Sequence, residues 1–250
     1  MADNRFARTQ MLLGEDGLNK LKNSKIMIVG LGAVGGYVLE ALARSGVGNF
    51  ILVDFDKFEE SNINRQILAL SETIGLKKTE VAKQRVFSIN PNANVDVIDM
   101  FVNNDTIDEL LKNNPDFVVD AIDALNPKCC LMQALTEKNI PFISSMGAAL
   151  KTDTSKIKFG NLSNSKNCSL AKFVRKRLRK RGVDISKIKC VWSEEQINLP
   201  DNAIELEGSQ KENGRIRHTL GSLPTITAIF GLTIANKLIL EISAYKNCVS

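Results

Sequence analysis

Gly30, Gly32 and Gly35 stand in G-x-G-x-x-G register, and an acid, Asp54, follows them after about 20 residues. Glycines so spaced let a strand turn tightly into a helix, let a phosphate approach the backbone and let helix and strand pack closely. The acid is placed to accept from ribose hydroxyls. Nucleotide binding is the chemistry these residues point to, with a glycine turn that merely packs as the alternative. The chain then adds Asp56, Arg65, Lys78 and Asp123. Of these, Arg65, Lys78 and Asp123, two cations and an acid that can converge on one crevice, supply more positive charge than a pyrophosphate bridging two nucleosides needs, and they suit a triphosphate. Asp123 suits Mg2+, a hard ion that prefers carboxylate and phosphate oxygens. A protein that binds a nicotinamide dinucleotide is the competing reading.

The hydrophobic pattern supplies the elements that must position these groups. Residues 26–29 and 49–53 are short apolar runs, read as buried parallel strands, and residues 33–44 between them as a helix, which makes a βαβ unit of roughly 30 residues. Residues 57–70 form a polar segment with few apolar side chains to bury. It follows the carboxyl end of a strand, where ligands bind in open α/β sheets. Residues 71–74 read as a turn, and 77–90 as a helix that Pro91 stops. Strands at 95–102, 116–120 and 141–145 alternate with helices at 105–113 and 127–139. The fold class expected is α/β: a Rossmann-like, mostly parallel twisted sheet with helices on both faces. Residues 1–250 read as one domain, with a lead-in (1–24) of two short helices at 5–13 and 14–23, a nucleotide-binding core (25–150) and a less regular extension (151–250). In the extension, 157–162 and 189–192 read as strands, 170–181 and 221–240 as helices, and 201–214 as an acidic, mobile loop.

Composition narrows the chemistry. With 250 residues, 44% of them hydrophobic and 24% charged, the chain has ordinary globular composition. Five cysteines without a C-x-x-C pair argue against a disulfide framework and against a thiolate zinc site, so no zinc is expected and Cys129, Cys130, Cys168, Cys190 and Cys248 read as packing residues. A single histidine, His218, all but excludes histidine pairs as catalysts or metal ligands. The N-terminus lacks the basic-then-apolar pattern of a signal peptide, and a cytoplasmic protein is expected. The uncharged stretch 220–236 is interrupted by polar residues and short of the ~20 apolar residues a bilayer asks for, so it reads as a buried helix without membrane insertion. The net charge of +5 is unevenly spread: residues 172–189 hold nine basic side chains against one acid. The stripe Leu170, Val174, Leu178 gives that basic helix one buried face and one cationic face.

Gly-Leu-Gly-Ala-Val-Gly (30–35), Val-Asp-Phe-Asp (53–56), Ser-Asn-Ile-Asn-Arg-Gln (61–66), Gly-Leu-Lys-Lys (75–78) and Asp-Ala-Ile-Asp (120–123) occur in that order. Through them the chain resembles, over residues 5–148, the E1-like adenylating family, whose members include the activators of ubiquitin-like sulfur carriers. The resemblance implies ATP and Mg2+ as cofactors, with Asp54 on the ribose, Asn62 and Arg65 on the phosphates, Lys78 on the triphosphate and Asp123 on magnesium. It also implies a homodimer, in which Arg8 reaches the partner's nucleotide, and leaves room for a partner protein from a sulfurtransfer system. Arg and Lys would then neutralise charge growing on the departing pyrophosphate as a carboxylate attacks the α-phosphate.

Two substrates compete for that carboxylate. One is the C-terminal glycine of a sulfur-carrier protein, whose activators often carry paired C-x-x-C motifs that this chain lacks. The other is N6-threonylcarbamoyladenosine at position 37 of tRNA, which the tRNA-modifying branch adenylates and closes into a ring with loss of AMP. Asp120 to Lys128, Ser144 to Ala149, Leu170 to Val183 and Val191 to Glu195 resemble that branch. A cationic helix agrees with it, since a tRNA backbone calls for phosphate-neutralising side chains, and Arg175, Lys176, Arg179 and Lys180 are the candidates. Asn167-Cys168-Ser169 replaces the Asp-Pro expected ahead of this helix, and Thr154 stands where a proline often follows Asp153, so the turns there are expected to differ.

Overall fold

The computed structural model describes residues 4–197 and 220–245. The expected loop at 201–214, His218 and Cys248 lie outside the described residues. Seven strands form one sheet in the order β3-β2-β1-β4-β5-β7-β6. They are β1 (Lys25–Val29), β2 (Asn49–Asp54), β3 (Asn94–Asp99), β4 (Phe117–Asp120), β5 (Phe142–Ser145), β6 (Ile157–Asn161) and β7 (Lys189–Ser193). All neighbours pair parallel except β6 with β7, which are antiparallel. The mostly parallel sheet expected from the sequence is therefore present, with an antiparallel edge.

The central strands are apolar on both faces because helices cover both. Ile26, Ile28, Phe50, Leu52 and Val119 pack on one side, with α1 (Ala7–Asn23), α2 (Gly35–Arg44), α3 (Lys78–Ile89) and α7 (Pro224–Ser243). The alternate residues Met27, Val29, Ile51, Val53 and Val118 meet α4 (Ile107–Leu111) and α5 (Leu125–Glu137) on the other. Here α6 (Ser169–Lys180) adds a satellite core with Ala171, Val174, Leu178, Cys190 and Trp192. α7 is long and apolar enough to cross a membrane by length and composition. Its Ile226, Phe230, Ile234 and Leu238 are fully buried, however, and Gly231 lets it close onto α2, where a Cβ would lie 2.6 Å from the Val34 carbonyl oxygen.

Several elements differ in extent from the hydrophobic reading. α1 is the expected helix pair joined across a kink at Gly14, whose φ of 78° a glycine adopts without strain. β3 stops at Asp99, and the helix expected at 105–113 shrinks to α4, because Asn103 ties the amides of Asp105 and Thr106 into a turn ahead of it. α7 begins at Pro224, as a proline at the first helical position favours, and runs on to Ser243. The polar segment 57–70 buries more than expected: Phe58, Leu68 and Ala69 anchor it, and Asn62 and Gln66 are buried with them.

Candidate active site

The strand order reverses between β1 and β4, and in open parallel sheets the crevice at such a point, at the carboxyl ends of the strands, takes the ligand. Gly30 leaves β1 with φ 93°, and a Cβ there would lie 2.8 Å from the Ala121 carbonyl oxygen at the end of β4. Gly35 opens α2, and its Cβ would overlap the Gly30 carbonyl oxygen at 1.8 Å. These two glycines therefore bring strands and helix together. Gly32 differs: the nearest atom to its Cβ position is Nε2 of Gln66, 3.8 Å away. The space above Gly32 can admit a phosphate, with the N-terminus of α2 supplying amide donors and positive dipole.

Asp54 Oδ2 accepts the Leu31 amide at 2.7 Å, and Oδ1 accepts the Asp56 amide at 2.9 Å. The buried acid thus braces the glycine turn, and a ribose hydroxyl would share these oxygens. Asp56 Oδ2 lies 3.2 Å from Lys78 Nζ, whose side chain is 7% exposed and which opens α3 above the ring of Phe58. One run of contacts therefore joins the glycine turn through Asp54 and Asp56 to Lys78. Arg65 Nη1 donates to the Ser61 carbonyl and to Asn64 Oδ1, both at 2.8 Å, and Asn64 in turn donates to the Ser222 carbonyl ahead of α7. Asn62 is occupied locally: its Oδ1 caps the amide of Glu59 at 3.3 Å. Asp123 is exposed in the turn after β4, two residues beyond the Ala121 that packs on Gly30. Asp123 beside bound phosphates fits the way Mg2+ is held, by one or two carboxylates and substrate oxygens. Among the described residues, no three side chains are gathered as a metal cage. Arg8 is exposed ahead of the Gly14 kink, near the exposed Met11 and Leu12, on a helix that packs against α7.

Three groups escaped the sequence reading. Gln66, beside Gly32, is 7% exposed, and its Oε1 meets no donor among the described residues. Lys128 is fully buried with Asp120 at 2.6 Å, and Ser144 donates to the same carboxylate oxygen at 2.6 Å, while Oδ1 accepts the Ile122 amide. This pair shapes the turn that carries Asp123. Lys151, 2% exposed, forms no carboxylate ion pair among the described residues; its ammonium donates to the carbonyls of Asn167 and Glu195, and burial holds it below the usual lysine range. The Glu195 carboxylate instead collects the amides of Asp153 and Thr152, which hold it below the usual range. These contacts staple the loops after β5 and β7 to the start of α6.

On the basic helix the four candidates differ in exposure. Arg175 is half-buried, and its Nη1 donates to the carbonyl and hydroxyl of Ser165. Lys176, Arg179 and Lys180 are exposed, joined by Lys172 and by Phe173, which is 52% exposed. Cys168 takes the N-cap in place of the expected Asp-Pro, its Sγ accepting the Ala171 amide at 3.5 Å. Burial raises the Cys129 thiol and pushes Cys190 up to about 12, so both stay protonated and unreactive at neutral pH.

The model of the ThiF family matches residues 6–249. A tRNA threonylcarbamoyladenosine dehydratase of Bacillus subtilis is 34% identical over 95% of this chain and 94% of its own length. The crystal structure of the Escherichia coli tRNA N6-threonylcarbamoyladenosine dehydratase in complex with ATP superposes with a TM-score of 0.86 at 32% identity, covering 96% of this chain and 94% of that one. The Haemophilus influenzae molybdopterin-synthase adenylyltransferase is 36% identical, but over only 55% of this chain and 56% of its own length.

Proposed function

The chain belongs to the ThiF family, and from that premise we propose that it is an ATP-dependent enzyme that cyclises N6-threonylcarbamoyladenosine in tRNA. The extent of the matches carries this reading. Similarity to dehydratases of that base runs through nearly the whole chain, basic helix included, whereas similarity to the molybdopterin-synthase adenylyltransferase covers only 55% of it.

In the first step a carboxylate oxygen of the threonyl group attacks the α-phosphorus of ATP, and the bond to pyrophosphate breaks. The open face of Gly32 and the α2 N-terminus hold phosphate, while Arg65 and Lys78 counter the charge that builds on the leaving group. Asp123 would hold Mg2+, which adds a further positive charge at the pyrophosphate. In the second step a nucleophile within the threonylcarbamoyl group attacks the acyl carbon and loses its proton, and AMP departs with the former carboxylate oxygen. The net change in the base is loss of water. No protein nucleophile is needed, in keeping with the raised thiols of Cys129 and Cys190.

Lys172, Lys176, Arg179 and Lys180 neutralise tRNA phosphates along α6. Arg8, flanked by Met11 and Leu12, fits a homodimer in which it reaches the partner's nucleotide, and a tRNA substrate fits the cytoplasm. ATP–pyrophosphate exchange tests the assignment. Stimulation by tRNA bearing threonylcarbamoyladenosine supports it, and stimulation by a small protein ending in Gly-Gly in place of that tRNA overturns it.

A further inference from the structure

α6 holds six basic side chains and no acid, and one large apolar side chain stands among them in the open. Ala171, Val174 and Leu178 fill the helix's buried face, so Phe173 is not needed for packing. Lys176 and Arg177 lie three and four residues on, one turn away on the same side of the helix, and Lys172 precedes it. Among the described residues its ring meets neither another aromatic ring nor a cation.

Position along the helix adds to this. Cys168 at the N-cap touches the Gly147 carbonyl after β5, and Asn167 donates to the Glu194 carbonyl after β7. α6 therefore starts at the sheet edge where the carboxyl ends of the parallel strands and the candidate nucleotide site lie, and Lys151 locks that start in place. Phe173 is in the helix's second turn, about 6 Å along the axis from its start, whereas Lys180 is at the far end, ~16 Å along. The aromatic ring thus stands at the site end of the helix, with Lys172 just before it and the other five cations trailing away.

We propose that Phe173 is a stacking platform for an unpaired base of the tRNA loop, flanking the base whose carboxylate is activated. Cations alone follow the phosphate backbone whatever its sequence or pairing. An exposed ring among them takes hold of bases that are splayed out of a helix, as the bases of single-stranded loops are. The fixed start of α6 sets the ring at one distance from the crevice, so stacking would also set which nucleotide enters. This inference rests on the tRNA reading given above.

The test compares binding of a stem-loop RNA with an unpaired loop and of a fully paired duplex of equal length, across a salt series. Phe173→Ala is expected to weaken stem-loop binding between about five-fold and about a hundred-fold. It should leave duplex binding, the salt slope and ATP affinity unchanged, and Phe173→Trp should restore stem-loop affinity. Lys176→Ala should weaken both RNAs and reduce the salt slope by roughly 0.7–0.9. If wild type binds the stem-loop and Phe173→Ala binds it equally well, the stacking role is wrong and the tRNA reading stands. If wild type binds no RNA, the tRNA reading falls with it. Should Phe173→Ala instead change the oligomeric state in sedimentation and leave RNA binding alone, the ring is a contact with a second copy and the proposal is overturned.

Discussion

Gly32→Ala and Gly35→Ala make the same chemical change three residues apart, yet the structure assigns them opposite consequences. At Gly35 the new Cβ would sit 1.8 Å from the Gly30 carbonyl oxygen, so α2 and the end of β1 must move apart by more than an ångström. Forced overpacking of this kind costs about 1–3 kcal/mol or more, which for a chain this size lowers Tm by roughly 2–4 °C per kcal/mol. At Gly32 the nearest atom is 3.8 Å away, an ordinary contact, and φ is not in the left-handed region, so stability should stay within about 0.5 kcal/mol of wild type. What Gly32→Ala occupies is the space over the amides, where a phosphate would make charge-assisted hydrogen bonds. Losing one such bond, at about 1.5–3 kcal/mol, predicts ATP binding weaker by about ten- to a hundred-fold. Calorimetry for ATP affinity and thermal unfolding for stability separate the two effects. A folded Gly32→Ala protein that binds ATP as tightly as wild type would refute the placement of the phosphates, and a Gly35→Ala protein of unchanged Tm would refute the packing argument.

Lys128→Met leaves the Asp120 carboxylate buried without its cation and should cost about 3–5 kcal/mol in urea unfolding. Adding Asp120→Asn should recover most of that, and equal losses in the single and double variants would count against the pairing. Charge reversal at Lys176, Arg179 and Lys180 should weaken tRNA binding and flatten its salt dependence without touching ATP affinity, whereas Arg175→Ala should mainly lower Tm by freeing Ser165; an equal loss of ATP affinity on charge reversal would show the patch misplaced. Glu40 gives a pH signature. Burial raises its carboxyl, but hydrogen bonds and charge from Arg85 and Arg44 outweigh that and hold it below the usual range. A depressed folded pKa contributes stability that is present above the unfolded value, about 4.3, and is lost as pH falls through the folded value. Glu40→Gln should therefore be less stable than wild type at pH 7, with the gap closing in acid; a gap independent of pH would contradict the ion pairs.

The centre of the sheet was legible because β1, β2 and β4 are built on uninterrupted apolar runs and the glycine turn carries its own spacing. Of the nucleotide-site candidates, Gly30, Asp54, Asp56 and Asp123 lie at or just past the end of a strand and Lys78 opens a helix, so the element pattern singled them out, whereas Asn62 and Arg65 lie within the longer segment after β2. Pairs made by distant segments were not legible. Nothing near Lys151 announces that its ammonium will meet carbonyls at Asn167 and Glu195, 16 and 44 residues away. Lys128 follows Asp120 closely enough to suggest a contact, but a lysine in a helix reads as solvated until the helix face is known to be buried. The half-burial of Arg175 could have been foreseen. This arginine lies four residues after Ala171 and three before Leu178, on the flank of the buried stripe, and counting charge without phase put it on the open face. The same counting passed over Phe173.

The most direct measurement is mass spectrometry of the nucleosides from tRNA bearing N6-threonylcarbamoyladenosine, after incubation with the protein, ATP and magnesium. The account predicts that the modified nucleoside becomes lighter by one water, with one AMP and one pyrophosphate released for each. Unchanged nucleoside in the presence of a protein that binds both ATP and tRNA would contradict it.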